Sequence, residues 1–371
     1  MSIQFLFPAV MSIFFGMVHY LAFSRVVAHL HVRPSTRTFL RWLLILNMAG
    51  ILGYLASRYA FSPPKLLYFL LSLSIGIGFI VFFGTLLYEI LRLLQRTLPF
   101  DGNKRAFFKR ASDLGFLSAS SAYLGAGVVE GQKDPVVTFI DVAQERFHGH
   151  SYRIVQISDM HVGGLIDREF VERSVERINR LDADLIAITG DLCDAHIDTL
   201  KEAIRPLSRL KSRLGTYYVV GNHEYFHSIG STIDYMKSLG IRVLENDAEA
   251  IEEFYVVGVY DLFGYRSGTF IPDIAEATRN VPADAPTLLL AHQPKYLDYL
   301  EGFEPSLMLS GHTHGGQLWP FNYLVSLAQP YVKGLHSLGP GRHIYVNSGI
   351  GFWGPPMRLG SQAEITCITW S

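Results

Sequence analysis

Three stretches in the first third of this chain are long, apolar and almost free of charge, and no water-soluble fold accommodates all of them. Ile3 to Leu21 contains no Asp, Glu, Lys or Arg. Trp42 to Ala56 is also chargeless and extends to Phe39 and Ala60 with only Arg41 and Arg58 near its ends. Leu66 to Leu87 carries no charge before Glu89. A helix needs roughly 20 consecutive apolar residues to cross a bilayer. Packed as a soluble core, three such helices would have no polar faces to solvate. Residues 1–98 therefore read as a membrane region with three transmembrane helices. The mean hydropathy of +0.22 is high because of this region.

A fourth apolar stretch, Leu114 to Val129, is shorter and richer in Ala, Gly and Ser. Immediately before it lies Asn103-Lys104-Arg105-Ala106-Phe107-Phe108-Lys109-Arg110. That run resembles a twin-arginine export signal with Lys104 in place of the first Arg, and it also suits a Sec-type signal anchor. A basic amphipathic linker is the alternative. Residues 99–130 thus read as a basic segment plus a fourth span or anchor. Lys and Arg stay on the cytoplasmic side. Arg25, Arg33, Arg37 and Arg41 follow the first span, and Arg92, Arg96, Lys104, Arg105, Lys109 and Arg110 follow the third. Only Arg58 and Lys65 follow the second. Four crossings then make a multi-pass protein of the inner membrane whose remaining chain, from Glu130 onward, is extracytoplasmic.

Charge divides the chain at the same place. Residues 1–130 hold 12 Lys and Arg against 4 Asp and Glu, and the remainder holds 20 against 29. An acidic domain is a poor match to a nucleic-acid backbone, which needs basic stripes, so no nucleic-acid partner is expected. The two cysteines, Cys193 and Cys367, define neither a disulfide framework nor a zinc site. Residues 130–150 read as a connecting segment, with His148 and His150 as surface histidines, and 150–371 as one domain.

Within that domain the hydrophobic pattern alternates between strand and helix. Tyr152 to Ser158, Leu185 to Thr189 and Tyr217 to Val220 read as buried strands. Phe170, Val171, Val175, Ile178 and Leu181 recur at helical spacing between the first two. Strand, helix, strand, helix, strand implies a mostly parallel sheet with right-handed crossovers. The second half offers further strands at Phe254–Val259, Thr287–Ala291, Leu307–Ser310, His343–Val346 and Ile365–Thr369. The expected fold is α/β: two sheets packed face to face in an α/β/β/α sandwich, preceded by the helical membrane region.

Five of these strands or their followers end in metal-ligand side chains: Asp159-Met160-His161, Gly190-Asp191, Gly221-Asn222-His223-Glu224, Ala291-His292 and Gly311-His312-Thr313-His314. An Asp after a strand is usually a turn or a helix cap, and one His alone says little. Together they supply enough oxygen and nitrogen donors for two cations sharing a carboxylate. In open α/β sheets the functional crevice lies at the carboxyl ends of the strands, where all of them fall.

This ordered set resembles the calcineurin-like metallophosphoesterase superfamily, over about residues 150–371, and in particular its membrane-anchored bacterial members. His312-Thr313-His314-Gly315-Gly316-Gln317 and the Gly349-to-Arg358 turn resemble the same subgroup. The resemblance implies a phosphoesterase holding two divalent metal ions, with Mn, Fe, Zn and Co all suited to the ligands. By the same resemblance Asp159, His161 and His314 hold the first ion, Asn222, His292 and His312 the second, and Asp191 bridges both. His223 then assists the leaving oxygen, and Asp194 orients it; the competing reading of Asp194 is a helix N-cap. The phosphoprotein phosphatases of the superfamily follow the Gly-Asp-x-x-Asp run with a phosphate-clamping arginine, and here Ala195 stands there. That departure favours a phosphodiester or pyrophosphate over a phosphoprotein.

Gln317 to Gly339 is apolar for a loop, with Trp319, Phe321, Tyr323, Leu324, Val325, Leu327, Tyr331, Val332 and Leu335. It reads either as a self-packed loop or as a lip that admits lipid tails, so a lipid headgroup enters as a substrate class. The other readings are a soluble-substrate phosphatase or nucleotide phosphodiesterase on the same fold, and a non-catalytic membrane sensor or scaffold. The complete ligand set argues against the last.

Overall fold

A computed structural model describes residues 3–58, 61, 63–97, 101–147 and 149–371, so His148 lies outside the described residues. The chain divides into two compact units, Met1–Gln132 with Gly354–Met357, and Lys133–Trp353 with Arg358–Ser371.

The first unit is helical: α1 (Ile3–Leu21), α2 (Pro34–Ser57), α3 (Lys65–Thr97) and α4 (Gly102–Gly131). Among the described residues three helical segments are long and apolar enough to cross a membrane, Pro8–His29, Pro34–Ser57 and Lys65–Thr97. In hydrocarbon every polar group must be satisfied internally, and the buried His19 and Asn47 side chains are. The ring nitrogens of His19 lie 2.8 Å from the Phe15 carbonyl and 2.8 Å from Asn47 Oδ1. Asn47 Nδ2 donates to the Ser74 carbonyl at 3.0 Å, so one polar chain runs through α1, α2 and α3. α4 runs unbroken through the basic run and the apolar stretch, and the Asp101 side chain caps it by accepting from Lys104 N. Lys109 pairs with the buried Asp113, which also accepts from Tyr88 Oη at 3.1 Å and from His31 N at 2.7 Å.

The second unit carries two six-stranded sheets. The first, in spatial order, is β1 (Val136–Val142), β12 (Glu364–Trp370), β2 (Tyr152–Ile157), β3 (Leu185–Thr189), β4 (Gly215–Val219) and β5 (Arg242–Val243). The second is β10 (Gly334–Gly339), β11 (Arg342–Val346), β9 (Leu307–Ser310), β8 (Thr287–Leu290), β7 (Phe254–Gly258) and β6 (Asp247–Ile251). From β2 through β5 all neighbours are parallel, as are those from β11 through β7, with antiparallel pairs toward the edges. Helices α5 (Arg168–Asn179), α6 (Ile197–Ile204) and α7 (Ile229–Ser238) pack on the outer face of the first sheet through Val171, Val175, Ile178, Ile197, Ile204, Ile233 and Met236. The two-sheet sandwich is the expected one.

Two expectations need correction. The stretch 130–150, expected to be a connector, contains β1, which pairs in parallel with β12 over its full length. An edge strand buries little, and Phe139 at its centre is 70% exposed, so the alternation that marks a buried strand is missing. The apolar segment after the last ligands is not all loop. It forms a short helix at Asn322–Val325 and then the edge strand β10.

Between the sheets lies an apolar layer that includes Tyr152, Ile154, Leu185, Tyr217, Val256, Leu288, Leu309 and Trp370. Trp370 is fully buried, with the Phe147 ring at 4.8 Å and the Phe254 ring at 5.2 Å in edge contacts. Polar bridges close the same layer at its site end. Gln156 Nε2 on β2 donates to Thr189 Oγ1 and to the Ser310 carbonyl on β9, each at 2.9 Å, joining one sheet to the other. Trp370→Ala should open a cavity at the apolar end and destabilise this unit by about 3–5 kcal/mol. Chemical denaturation of the full chain, followed by near-UV circular dichroism, measures it.

Candidate metal centre

Six of the seven expected ligands come together in two groups at the carboxyl ends of β2, β3, β8 and β9, and the seventh, Asn222, follows β4. Asp159, His161 and His314 form one group whose ligand atoms all lie within 4.8 Å of one another, and Asp191, His292 and His312 form another. His161 Nε2 lies 3.0 Å from His314 Nε2, and His314 Nε2 lies 3.4 Å from Asp159 Oδ1. His292 Nε2 lies 3.2 Å from Asp191 Oδ2, which is also 3.8 Å from His161 Nε2. Asp191 therefore stands between the two groups.

The backbone is strained to achieve this. Asp159, His161, Asp191, His312 and His314 all have positive φ, between 50° and 69°. Each such residue costs of order 1–3 kcal/mol and persists only where its surroundings over-determine it. Two glycines permit the close approach. A Cβ on Gly221 would collide with the Asp191 carboxylate, and one on Gly311 with Ser158 and Asp159.

Buried polar atoms test whether these donors fit cations. Asn222 Oδ1 is buried and makes no hydrogen bond, which is costly for a polar atom unless something else satisfies it, and buried His292 Nε2 faces the Asp191 carboxylate at 3.2 Å. Both belong to the set expected to hold the second ion. Two imidazole nitrogens facing each other at 3.0 Å, as in His161 and His314, can share at most one proton comfortably. A mixed set of neutral imidazole, carboxylate and amide oxygen suits a first-row divalent cation. The residues fit two metal ions.

Neighbouring groups orient the ligands. His292 Nδ1 lies 2.7 Å from the Thr189 carbonyl, which fixes that nitrogen as the donor and leaves Nε2 as the ligand atom. Asp194 Oδ1 lies 2.8 Å from His161 Nδ1 and 2.7 Å from His223 Nδ1. The N-cap of α6 is His196, so Asp194 does not cap that helix; it faces the site. That one carboxylate serves both a ligand histidine and His223 was not visible in the sequence, because the pairing to His161 spans two loops.

The electrostatics favour the ligand-competent form of Asp191, His312 and His314. Burial alone would raise the pKa of Asp191, but the imidazoles of His292, His223 and His161 outweigh it and hold the carboxylate well below its usual range. Burial pushes Asp159 up, with the Asp191 charge adding to it. Burial, then the charge of His292, takes His312 down to about 3, and burial, His161 and Arg358 hold His314 far down, so both stay neutral as ligation requires. Burial would lower His161 and His292, but Asp194 and Asp191 respectively outweigh it and raise both.

Two further residues escaped the sequence reading. Glu224 is fully buried, and its carboxylate accepts from Gly221 N at 2.7 Å, Leu192 N at 2.8 Å, Cys193 N at 3.1 Å and Asp191 N at 3.2 Å. It ties the Asp191 loop to the Asn222 loop; burial and the Asp191 charge push its pKa up to about 7. Its place inside the Gly-Asn-His-Glu block was the available signal. Arg358, 1% exposed, donates to the carbonyls of Gly351, Ser348, Gly349 and His314, at 2.6 to 3.3 Å. No local pattern marks a buried arginine held mainly by carbonyls.

Comparison with known proteins accords with this geometry. The profile of the calcineurin-like phosphoesterase family matches residues 152–316. An uncharacterized metallophosphoesterase of Helicobacter pylori is 35% identical over 353 residues, covering 95% of each chain. One of Campylobacter jejuni is 28% identical over 365 residues, covering 98% of this chain and 97% of that one. A transmembrane protein with metallophosphoesterase domain from Bos taurus is 36% identical over 258 residues, covering 65% of this chain and 58% of the relative. With ligand blocks of the expected kinds drawn together at the strand ends and a relative matched along nearly its whole length, this chain belongs to the calcineurin-like metallophosphoesterases.

Proposed function

We propose that this protein is a membrane-anchored phosphodiesterase that hydrolyses a phosphodiester or pyrophosphate bond, including one in a lipid headgroup, with its catalytic domain on the extracytoplasmic side. The observation that carries the reading is the pair of facing ligand groups joined through Asp191, with Asn222 Oδ1 buried and unsatisfied beside them. In this assignment Asp159, His161 and His314 hold one cation, Asn222, His292 and His312 the other, and Asp191 bridges. Two bound cations would supply charge neutralisation of the phosphate oxygens and a water activated for attack.

The chain's own residues do the rest. His223 Nδ1 is held by Asp194, which turns Nε2 toward the site, 4.0 Å from Asp191 Oδ2. Nε2 is then the atom that gives a proton to the departing oxygen. Asn222 is the neutral member of the set, which limits negative charge facing an anionic substrate. Ala195 offers no second cationic clamp, which suits a diester better than a monoester. The lipid reading is supported by the exposed side chains after the last ligands: Trp319 is 54% exposed, Tyr323 62% and Leu327 84%. Trp and Tyr are the side chains favoured at a membrane interface.

Four outcomes test the proposal. Asp191→Asn should lose most of the activity and some of the bound metal while the fold survives, as read by metal analysis and circular dichroism; near-normal turnover with two metals bound would remove the bridging role. His223→Ala should keep both metals yet lose roughly 10²–10⁴-fold in turnover, the usual worth of a positioned acid. The loss should shrink for an activated nitrophenyl ester, whose leaving group needs no proton. Asp194→Asn should show a weaker loss of the same kind and, because Asp194 also holds His161, weaker metal binding. Finally, a periplasm-active reporter fused after Glu130 should be active, while its cytoplasm-active counterpart stays silent; the reverse would demote Leu114–Val129 to a linker.

A further inference from the structure

Two exposed aromatic rings stand beside His223, and the chemistry described above does not use them. Phe226 is 53% exposed and its ring centroid lies 5.8 Å from that of His223, edge-on at 83°. Trp353 is 38% exposed and lies 6.3 Å from the same imidazole at 86°. Large aromatic rings half in water give up burial energy, and they persist at a site where a ligand completes the burial. Neither ring is loose. Phe226 is backed by Phe263, with centroids 4.9 Å apart. Trp353 is fixed through its backbone: its N–H donates to Gln317 Oε1 and its carbonyl accepts from Gln317 Nε2, both at 3.0 Å. Gln317 lies three residues past His314, so the indole is tied to the ligand loop itself.

The position of these rings decides what they touch. His223 serves the leaving oxygen, so whatever alcohol departs is carried into the space next to its ring. Two aromatic walls there offer apolar contact, which a sugar or a small polar alcohol would waste.

We propose that Phe226 and Trp353 receive an apolar leaving alcohol, so that in a membrane phosphodiester the bond broken is the one between phosphorus and the diacylglycerol oxygen. The inference rests on the phosphodiesterase reading above. Water oxygen adds to phosphorus and the phosphorus–glycerol oxygen bond breaks. Its electron pair stays on the glycerol oxygen, which takes the proton from His223 Nε2; the attacking water gives up a proton to solvent, and Nε2 regains one from solvent. The products are diacylglycerol and the phosphate monoester of the polar headgroup.

The test uses the full chain in detergent, loaded with manganese, and dihexanoyl phosphatidylethanolamine below its micelle concentration. Expected products are dihexanoylglycerol and phosphoethanolamine. Dihexanoyl phosphatidate with free ethanolamine would overturn the inference. So would refusal of the lipid by a protein that still hydrolyses bis(4-nitrophenyl) phosphate, which leaves the phosphodiesterase reading intact. Refusal of both by the metal-loaded protein removes that reading and this inference with it. Phe226→Ala and Trp353→Ala should each raise KM for the lipid about tenfold, the worth of one well-packed aromatic contact. For glycerophosphoethanolamine, the same headgroup without acyl chains, the rise should be much smaller. Phe226→Leu and Trp353→Phe should recover most of the lipid KM and show that the fold is not at fault. An equal rise for both substrates would overturn the assignment.

Discussion

The Glu224 carboxylate makes no contact with substrate in the proposed mechanism, yet the site depends on it. It accepts four backbone N–H groups, three from the turn at Asp191 to Cys193 and one from Gly221. Those N–H groups sit in a crevice from which water is excluded, where an unpaired donor is expensive. By gathering them, one carboxylate fixes the spacing of two strand ends that approach only because Gly221 lacks a side chain. Asp191 is then held where it can accept from His223 N at 2.8 Å through one oxygen while the other faces His292 and His161. The strained φ angles at the ligands are tolerable because this buried framework leaves them no alternative.

The same economy governs the second cluster. Asp194 holds His161 and His223 through one oxygen atom, at 2.8 and 2.7 Å. A ligand histidine and the proposed proton donor are therefore set by the same group, and neither ring can shift without disturbing the other. Such sharing makes the effects of substitutions non-additive. A site of this kind is built on rigid strand ends, because the distances involved do not survive loop motion.

The sequence made the buried parts of this protein legible and left its edges obscure, for one physical reason. β3 was read to the residue, Leu185 to Thr189, because a fully buried parallel strand is a continuous apolar run. α5 was read from its stripe, and Val171, Val175 and Ile178 are indeed the buried face. β1 and β10 bury little, so their sequences carry little of the pattern that burial imposes. The candidate ligand positions stand out in the sequence because such clusters are rare outside metal sites and their order resembles that of a known family. The shared Asp194, the Glu224 clamp and the carbonyl cage of Arg358 do not, since each is a long-range contact between loops that no local spacing encodes.

The helical unit obeys the same rule of satisfaction in a different solvent. His19 and Asn47 would each be costly alone in hydrocarbon, and they are placed so that each is paired by a neighbouring helix. Hydrogen bonds between membrane helices contribute about 0.6 kcal/mol on average in measured cases, so this chain specifies which helices meet more than it stabilises them. Arg358 solves the equivalent problem in the catalytic unit. This buried cation is held mainly by carbonyl oxygens, and burial takes its pKa down to about 10, leaving it charged at neutral pH. Its positive charge lies 3.4 Å from His314 Nδ1, which disfavours protonation of that imidazole. An arginine far from the ligand motifs in sequence thus keeps one of the proposed ligands in the neutral form that a cation requires.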